Sequence, residues 1–335
     1  MRLAKLFERV MSAIPVAIGV AVIAFLFLRF LPGDPVEIML GDTQVSQAQV
    51  ENLRSDLHLD KPLVTQLGLF LSDLLRGDLG TSYVKNQPVA KLVADTLPAT
   101  IELTFATIVI AILIAVPVGI VSSLRAGSWL DRSVLSGALL GVSMPAFWFG
   151  LLLILLFSVQ LHLLPTSGRI PATLAIEART GFMLIDTLLE GDVRAFGAAL
   201  RHLVLPALTL GVVFSAVLAR VVRASMIEVL QREYVTTARA KGLREWSVVM
   251  KHALRNALIP ALTVAGLQIG ELLGGNMIVE TIFAWPGVGR LVVSSIFARD
   301  YVVVQAAVML YALTYVAVNL VVDALYTLLN PRIAL

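Results

Sequence analysis

The chain has 335 residues, of which 58% are hydrophobic and only 15% are charged, and its formal net charge is +3. Soluble domains are about half apolar and about a quarter charged, so this composition excludes an ordinary soluble protein. The absence of cysteine excludes a disulfide framework, a cysteine nucleophile and thiolate metal sites.

Six apolar stretches are each long enough for a helix to cross the roughly 30 Å hydrocarbon core of a bilayer. They are predicted at Val10–Leu31, Thr100–Val121, Val134–Phe157, Leu203–Val222, Ala257–Glu280 and Val304–Leu328. No stretch alternates apolar and polar residues over about ten positions, as a membrane β-barrel strand would. The sequence therefore predicts an all-α polytopic membrane protein with six transmembrane helices.

The first apolar run follows the basic segment MRLAKLFER, as the apolar region of a signal peptide would. A signal peptide has an apolar region of about 7–15 residues and a small-residue cleavage site. The run Val10–Leu28 is longer, and it is followed by LPGDP instead of such a site. We therefore predict an uncleaved first transmembrane helix.

Basic residues indicate the orientation, because cytoplasmic loops of membrane proteins are enriched in Lys and Arg. Eight of them lie between Arg220 and Arg255. This places that loop and both termini in the cytoplasm. The predicted regions are a tail with the first helix (1–31), an extracytoplasmic cap (32–97), a five-helix core (98–329) with a cytoplasmic loop at 223–256, and a cytoplasmic C-tail (330–335).

The cytoplasmic loop has the pattern of two helices joined at a glycine. Six residues share one helical stripe, and they are Trp246, Val249, Met250, Ala253, Leu254 and Ala257. Gly242 lies where a preceding helix, Glu233–Lys241, would end, because glycine adopts the left-handed cap conformation without strain. Such a segment could lie on anionic lipid or dock in a groove of a cytoplasmic partner. The glycine corner favours docking, since a helix on a membrane surface needs no break.

Several short motifs occur in a fixed order along almost the whole chain. They are LPGDP at 31–35, SMPAF at 143–147, YVTTARAKGL at 234–243, HALRNALIP at 252–260, ETIFAWPGVG at 280–289, RDY at 299–301 and NPR at 330–332. Together they resemble the permease subunits of ABC importers, and most closely the dipeptide/oligopeptide/nickel branch. The segment around Gly242 resembles the EAA loop, or coupling helix, of that family. The wider superfamily has Glu six residues before the glycine, where this chain has Thr236.

The resemblance implies a type I ABC importer transmembrane domain in the bacterial inner membrane, which forms half of the translocation path. It implies a homologous second permease, two ATPase subunits that hold ATP and Mg, and an extracytoplasmic solute-binding protein. It also implies that the short helix before Gly242 fits a groove of an ATPase subunit. Ala238 and Ala240 would then permit close approach, and the ATPase-coupling residues would be Tyr234, Thr236, Thr237, Ala238, Arg239, Ala240, Lys241, Gly242 and Leu243.

The chain has no phosphate-binding loop of the G-x-x-x-x-G-K-[ST] type and no H-E-x-x-H zinc motif. We therefore expect no enzymatic activity, no cofactor and no metal site in this chain, with ATP hydrolysis performed by the partners. A channel or secondary transporter is the alternative of another class, but it leaves the glycine-cornered loop unexplained. The expected surroundings are the lipid bilayer and the partner subunits, with no nucleic acid.

Polar residues inside apolar helices are costly and often functional. Gln268 and Glu271 are three residues apart and are predicted on one face of the fifth helix, lining the translocation path. Met144 and Phe147 are predicted to form an apolar constriction there. Glu102 and Glu280 are expected near helix ends. The predicted substrates are di- or oligopeptides, with nickel complexes or glutathione as the alternative.

Overall fold

Helices make up almost all of the regular structure. A computed structural model describes residues 2–30, 36, 47–56, 59–82, 84–174, 176–274 and 276–329. The LPGDP motif at 31–35, the NPR motif at 330–332, the predicted C-tail and parts of the predicted cap lie outside the described residues.

The bounds of the elements follow in chain order. The helices are α1 (Arg2–Arg29), α2 (Gln47–Asp56), α3 (Leu63–Leu75), α4 (Val89–Leu124), α5 (Trp129–Ser143), α6 (Ala146–Gln160), α7 (Met183–Leu189), α8 (Val193–Leu230), α9 (Glu233–Ala240), α10 (Glu245–Leu273), α11 (Met277–Ile282), α12 (Val288–Phe297) and α13 (Tyr301–Leu329). Helix α6 ends in a π-helical segment, Ile154–Gln160, and α10 contains another, Val248–Ala253. Strands β1 (Thr81–Ser82) and β2 (Gln87–Pro88) form a short antiparallel hairpin before α4.

Among the described residues, four helices are long and apolar enough to cross a membrane, namely α4, α8, α10 and the Tyr301–Val321 part of α13. The pair α5 and α6 would make a fifth crossing if it is counted as one bent span. Helix α1 contains a shorter apolar stretch, Ile14–Leu26. We call the end of the bundle that carries residues 161–192 the outer end, and the end that carries residues 231–244 the inner end, after the orientation predicted from charge.

The predicted single helix Val134–Phe157 is wrong, because α5 and α6 meet at an angle of 100°. Met144 adopts an extended backbone conformation (ψ 127°), and Pro145 is the N-cap of α6. Proline disfavours the helical conformation of the residue before it and cannot donate a backbone hydrogen bond. Pro117 and Pro206, in contrast, lie within the continuous helices α4 and α8.

The predicted span Ala257–Glu280 is also too long, because α10 ends at Leu273. Gly274 lies against Tyr311 of α13, where a Cβ atom would come within 1.7 Å of the ring. The chain then begins the short helix α11, whose N-cap Asn276 accepts a hydrogen bond from the backbone N–H of Val279 at 3.3 Å. Glu280 therefore lies in α11 and not in a membrane-crossing helix.

Helices α4 and α8 pack closely along much of their length. A Cβ atom at Gly211 would lie 2.7 Å from Ile110, and one at Gly119 would lie 2.7 Å from Val222. Small residues allow such close approach of helix backbones in membranes. The buried core between the helices has an outer cluster that includes Leu205 and an inner cluster that continues from Val222 into α10.

Candidate functional site

The inner segment that joins α8 to α10 consists of α9, a corner at Gly242 and the start of α10. Gly242 has φ +76°, the left-handed conformation that glycine adopts without strain. Its N–H donates to the carbonyl of Arg239 at 2.9 Å, and the N–H of Leu243 donates to the carbonyl of Ala238 at 3.4 Å. This pair of bonds is the Schellman arrangement that ends many helices. The predicted helix stop at Gly242 is confirmed.

Helix α9 is fixed to both of its neighbours. Val235 and Val248 are fully buried and pack with Ala238 against the end of α8. The hydroxyl of Tyr234 accepts a hydrogen bond from Nδ2 of Asn256 at 2.7 Å. Because α9 contacts both α8 and α10, a force on its surface would reach both long helices.

A salt bridge connects α9 to the start of α10 across the corner at Gly242. Nη2 of Arg239 lies 2.7 Å from Oε1 of Glu245, and Nε donates to Oε2 at 3.1 Å. The guanidinium of Arg239 is therefore already paired with a carboxylate of the same chain.

The predicted coupling residues divide into a buried and an exposed set. Ala238 is 6% exposed and packs inside the segment, so the expected close approach of a partner at this residue is not possible in this arrangement. The exposed set comprises Tyr234, Thr236, Thr237, Arg239, Ala240, Lys241, Gly242 and Leu243. The accessible surface of the segment is therefore formed by Ala240 and its exposed neighbours.

The π-helical segment changes the stripe that the sequence predicts on α10. Val249, Ala253 and Ala257 of the predicted stripe are all buried, but Trp246 is 73% exposed. A π-helix contains more residues per turn than an α-helix, so residues before Val248–Ala253 fall out of the α-helical phase. Val248 takes the buried position instead.

The predicted path residues lie in two places. Gln268 is buried, and its Nε2 donates to the carbonyl of Phe214 in α8 at 3.2 Å. Its Oε1 has no hydrogen-bond partner among the described residues. Glu271 is exposed, so the two residues do not share one environment.

Met144 and Phe147 flank the break between α5 and α6. Phe147 is 41% exposed, and Met144 is half-buried. These two apolar side chains therefore lie at the 100° break between α5 and α6.

A buried ion pair ties the outer loop to α4. Nη2 of Arg169 lies 2.5 Å from Oε2 of Glu102, with side-chain exposures of 10% and 7%. Nη1 of Arg169 donates to the carbonyl of Gly181 at 3.1 Å. The guanidinium also lies 5.5 Å from the centroid of the Trp285 ring. The sequence singled out Glu102 but gave no partner for it.

Glu280 forms a second buried site at the outer end. Thr100 donates its hydroxyl to Oε1 of Glu280 at 2.9 Å, and the N–H of Arg290 donates to Oε2 at 3.0 Å. Burial raises the pKa of Glu280 to about 7, although these donors favour its ionised form. A Cβ atom at position 287 would lie 2.5 Å from Oε2 of Glu280, so only glycine fits at this position.

A third ion pair lies at the inner end. Arg223 of α8 donates through Nε and Nη2 to the two carboxylate oxygens of Asp131, at 2.5 and 2.7 Å. The hydroxyl of Ser122 and the N–H of Gly127 donate to the same carboxylate. This tie joins α4, α5 and α8 close to the point where α8 leads into α9.

Two family models match the chain. A model described as binding-protein-dependent transport system inner membrane component matches residues 115–335, and the corresponding N-terminal model matches residues 2–104. The chain belongs to this permease family. The segment around Gly242 and the predicted path residues all lie in the part that the first model matches.

Curated relatives of this permease match over nearly its whole length. It is 47% identical over 320 residues to the di/tripeptide transport system permease protein DppB of Pseudomonas aeruginosa, which covers 96% of this chain and 95% of the relative. It is 46% identical to the probable D,D-dipeptide transport system permease protein DdpB of Escherichia coli, over 97% and 96% of the two chains. It is 44% identical to the glutathione transport system permease protein GsiC of Pectobacterium atrosepticum, over 97% of each chain.

Proposed function

We propose that this permease is one of two homologous membrane subunits of an ATP-driven importer of di- or oligopeptides. The observation that carries this proposal is the identity of 46–47% over nearly the whole chain to relatives that are named for dipeptides or tripeptides. The two permeases would form the translocation path between them. Two ATPase subunits would bind ATP and Mg and hydrolyse the ATP, and a solute-binding protein would deliver the peptide.

The proposed arrangement has six transmembrane helices, with both termini in the cytoplasm of a bacterium and the outer end outside its inner membrane. Helix α1 would be the first crossing, and the bent pair α5 and α6 would be the third. The concentration of basic residues between Arg220 and Arg255 supports this orientation.

The inner segment is the proposed contact with an ATPase subunit. Its exposed surface around Ala240 and Leu243 is accessible, and its buried side is fixed to α8 and α10. Closure of the ATPase dimer would then move α9 and both long helices together. Such coupling requires that the contact differs in free energy between the nucleotide states.

Gln268, Glu271, Met144 and Phe147 are the proposed path residues. Oε1 of Gln268, which has no donor in the described part of the chain, supports this role, because a buried acceptor without a donor costs free energy unless another state or a solute supplies one. The 100° break beside Met144 and Phe147 supports a movable constriction.

Replacing Ala240 with Trp tests the docking surface without disturbing the buried side of α9. We expect Ala240→Trp to insert and to associate with the second permease, while the amount of copurified ATPase falls at least tenfold. Ala178→Trp is the control, because Ala178 is an exposed alanine of the outer loop. Equal ATPase recovery from both variants would contradict the proposed contact.

Glutathione is the second candidate substrate, because one relative is named as a glutathione permease. Transport of a labelled dipeptide into proteoliposomes that contain the complete importer, with unlabelled dipeptide or glutathione as competitor, separates the two. We expect the dipeptide to compete at least tenfold more strongly. Preferred competition by glutathione would assign the second substrate and leave the importer function unchanged.

A further inference from the structure

A cleft of about 630 Å³ opens at the outer end, between the start of α8 and the chain that follows α6. Arg194 and Arg201 line it, and because they are seven residues apart they lie two turns apart on one side of α8. His162 and His202 also line the cleft, together with apolar residues such as Pro171. We call this cleft the outer cleft.

The arginines of the outer cleft differ from the other arginines of the same region. Arg169 is paired with Glu102, and Arg179 is paired with Glu177. Arg194 and Arg201 are exposed, and neither has an ion-pair partner within the described ranges. Within the described part of residues 161–202, the two arginines without an ion-pair partner therefore both line the outer cleft.

The nearest acidic residues in the sequence already have other hydrogen-bond donors. Asp192 is the N-cap of α8, and its Oδ1 accepts from the N–H groups of Arg194 and Ala195 at 2.9 Å. Glu190 accepts from the N–H of Glu177 at 2.7 Å. Arg194 also lies in the first turn of α8, where the helix dipole disfavours a positive charge. The positive charge of Arg194 is therefore unfavourable at this position, and a carboxylate from another molecule would stabilise it.

The histidines give the cleft a fixed wall. Nδ1 of His202 lies 2.9 Å from the carbonyl oxygen of Ser167, which holds the ring against the outer loop. His162 has φ +53°, a conformation that residues other than glycine rarely adopt. Strained backbone of this kind is often found at binding sites.

We propose that the outer cleft is a docking site for a carboxylate-bearing surface of the extracytoplasmic solute-binding protein. The proposal rests on the proposed function, which supplies such a partner at the outer end. Arginine side chains bind carboxylates through two parallel hydrogen bonds. Exposed cations without a partner also speed the encounter with an acidic surface, and this effect weakens as salt screens the charges.

The test measures binding of the solute-binding protein that activates the wild-type importer, with the complete importer in nanodiscs. The double variant Arg194→Gln/Arg201→Gln should bind it at least tenfold more weakly at low salt, mainly through a slower association rate. At about 0.5 M salt, the wild type and the double variant should converge. The variant Arg194→Lys/Arg201→Lys should retain most of the wild-type association rate, because it keeps the charge.

Arg179→Gln is the matched control, because Arg179 is an exposed arginine of the same loop that already has a partner. Its affinity for the binding protein should stay within twofold of wild type. If the double variant also binds within twofold of wild type at low salt, the docking proposal is overturned. The same holds if the double variant raises only the KM for free solute, since the cleft would then recognise the solute itself.

The test also separates this proposal from the proposed function. A wild-type complex that hydrolyses ATP but responds to no solute-binding protein overturns the importer function, and the docking partner with it. A wild-type complex that responds, together with a double variant that responds equally, overturns the docking site alone.

Discussion

The inner segment and the outer end are built on different physical principles. The inner segment is held by short-range features, namely a glycine corner, a small apolar cluster around Val235 and an exposed salt bridge at Arg239. The outer end is held by buried polar groups that are far apart in the sequence, such as Arg169 with Glu102 and Thr100 with Glu280. Changes at the outer end should therefore cost much more stability than surface changes at the inner segment.

The largest effect is expected from Arg169→Met, which leaves Glu102 buried without its partner. Removing one member of a buried ion pair costs about 3–5 kcal/mol in the free energy of unfolding. Thermal unfolding of the purified complex measures the loss. The double variant Glu102→Gln/Arg169→Met should recover more than half of it.

Arg179→Met is the control, because its pair with Glu177 is exposed and should contribute less than about 1 kcal/mol. Equal losses of unfolding free energy in the Arg169→Met and Arg179→Met variants would contradict the expected difference between buried and exposed ion pairs.

The next effect is a pH dependence that originates at Glu280. Its pKa is about 7 in the folded chain and 4.5 as the reference value, so the folded state holds the proton more tightly. This contribution to stability is fully present below pH 4.5 and is lost as the pH rises through about 7. It amounts to roughly 3 kcal/mol.

The pH dependence is measured as the difference between wild type and Glu280→Gln. Between pH 5 and pH 8 the wild type should lose more stability than the variant, because glutamine does not titrate. Parallel stability curves for the two proteins would contradict the assignment to Glu280.

A smaller effect is expected from Gly242→Ala, because an alanine at φ +76° is strained by about 1–2 kcal/mol. Gly242→Asn should cost less, since asparagine tolerates this conformation. Both are measured as shifts in the midpoint of thermal unfolding.

Gly137→Ala is the matched control, because Gly137 lies inside helix α5 and has no atom within 4 Å of the added Cβ position. This variant should be neutral or slightly more stable. A loss at Gly137 as large as that at Gly242 would show that the left-handed conformation is not the cause.

The smallest effect is expected from Arg239→Gln at the inner segment. The pair with Glu245 has side-chain exposures of 41% and 55%, and exposed pairs of this kind contribute at most about 1 kcal/mol. The unfolding midpoint should therefore stay within about 2 °C of wild type for a chain of this size. A loss comparable to that of Arg169→Met would mean that the inner segment depends on charge as strongly as the outer end.

The difference between short-range and long-range contacts also explains which features of the structure the sequence could predict. The apolar stretches and Gly242 are local signals, so the mostly helical membrane fold and the helix corner could be read from neighbouring residues. Pro145 and Gly274 were local signals too, but the sequence alone did not show that the helices end there. Pro117 and Pro206 lie inside continuous helices, so the presence of a proline does not by itself show that a helix ends.

The pairings at the outer end had no local signal. Glu102 and Arg169 are 67 residues apart, and Thr100 and Glu280 are 180 residues apart. Spacing rules along a helix connect residues three or four positions apart, so they cannot identify such partners. The unpaired arginines of the outer cleft were missed for the same reason, because only the folded chain shows which cations have a partner.

The π-helical segment Val248–Ala253 sets the rotational alignment between α9 and the membrane-crossing part of α10. Each residue of a helix advances its direction by about 100°. Shortening the segment by one residue would restore regular α-helical turns, and it would rotate the surface that carries Ala240 to a different side of the bundle. The length of this segment is therefore more strictly constrained than its composition, and insertions or deletions here should be tolerated far less well than substitutions.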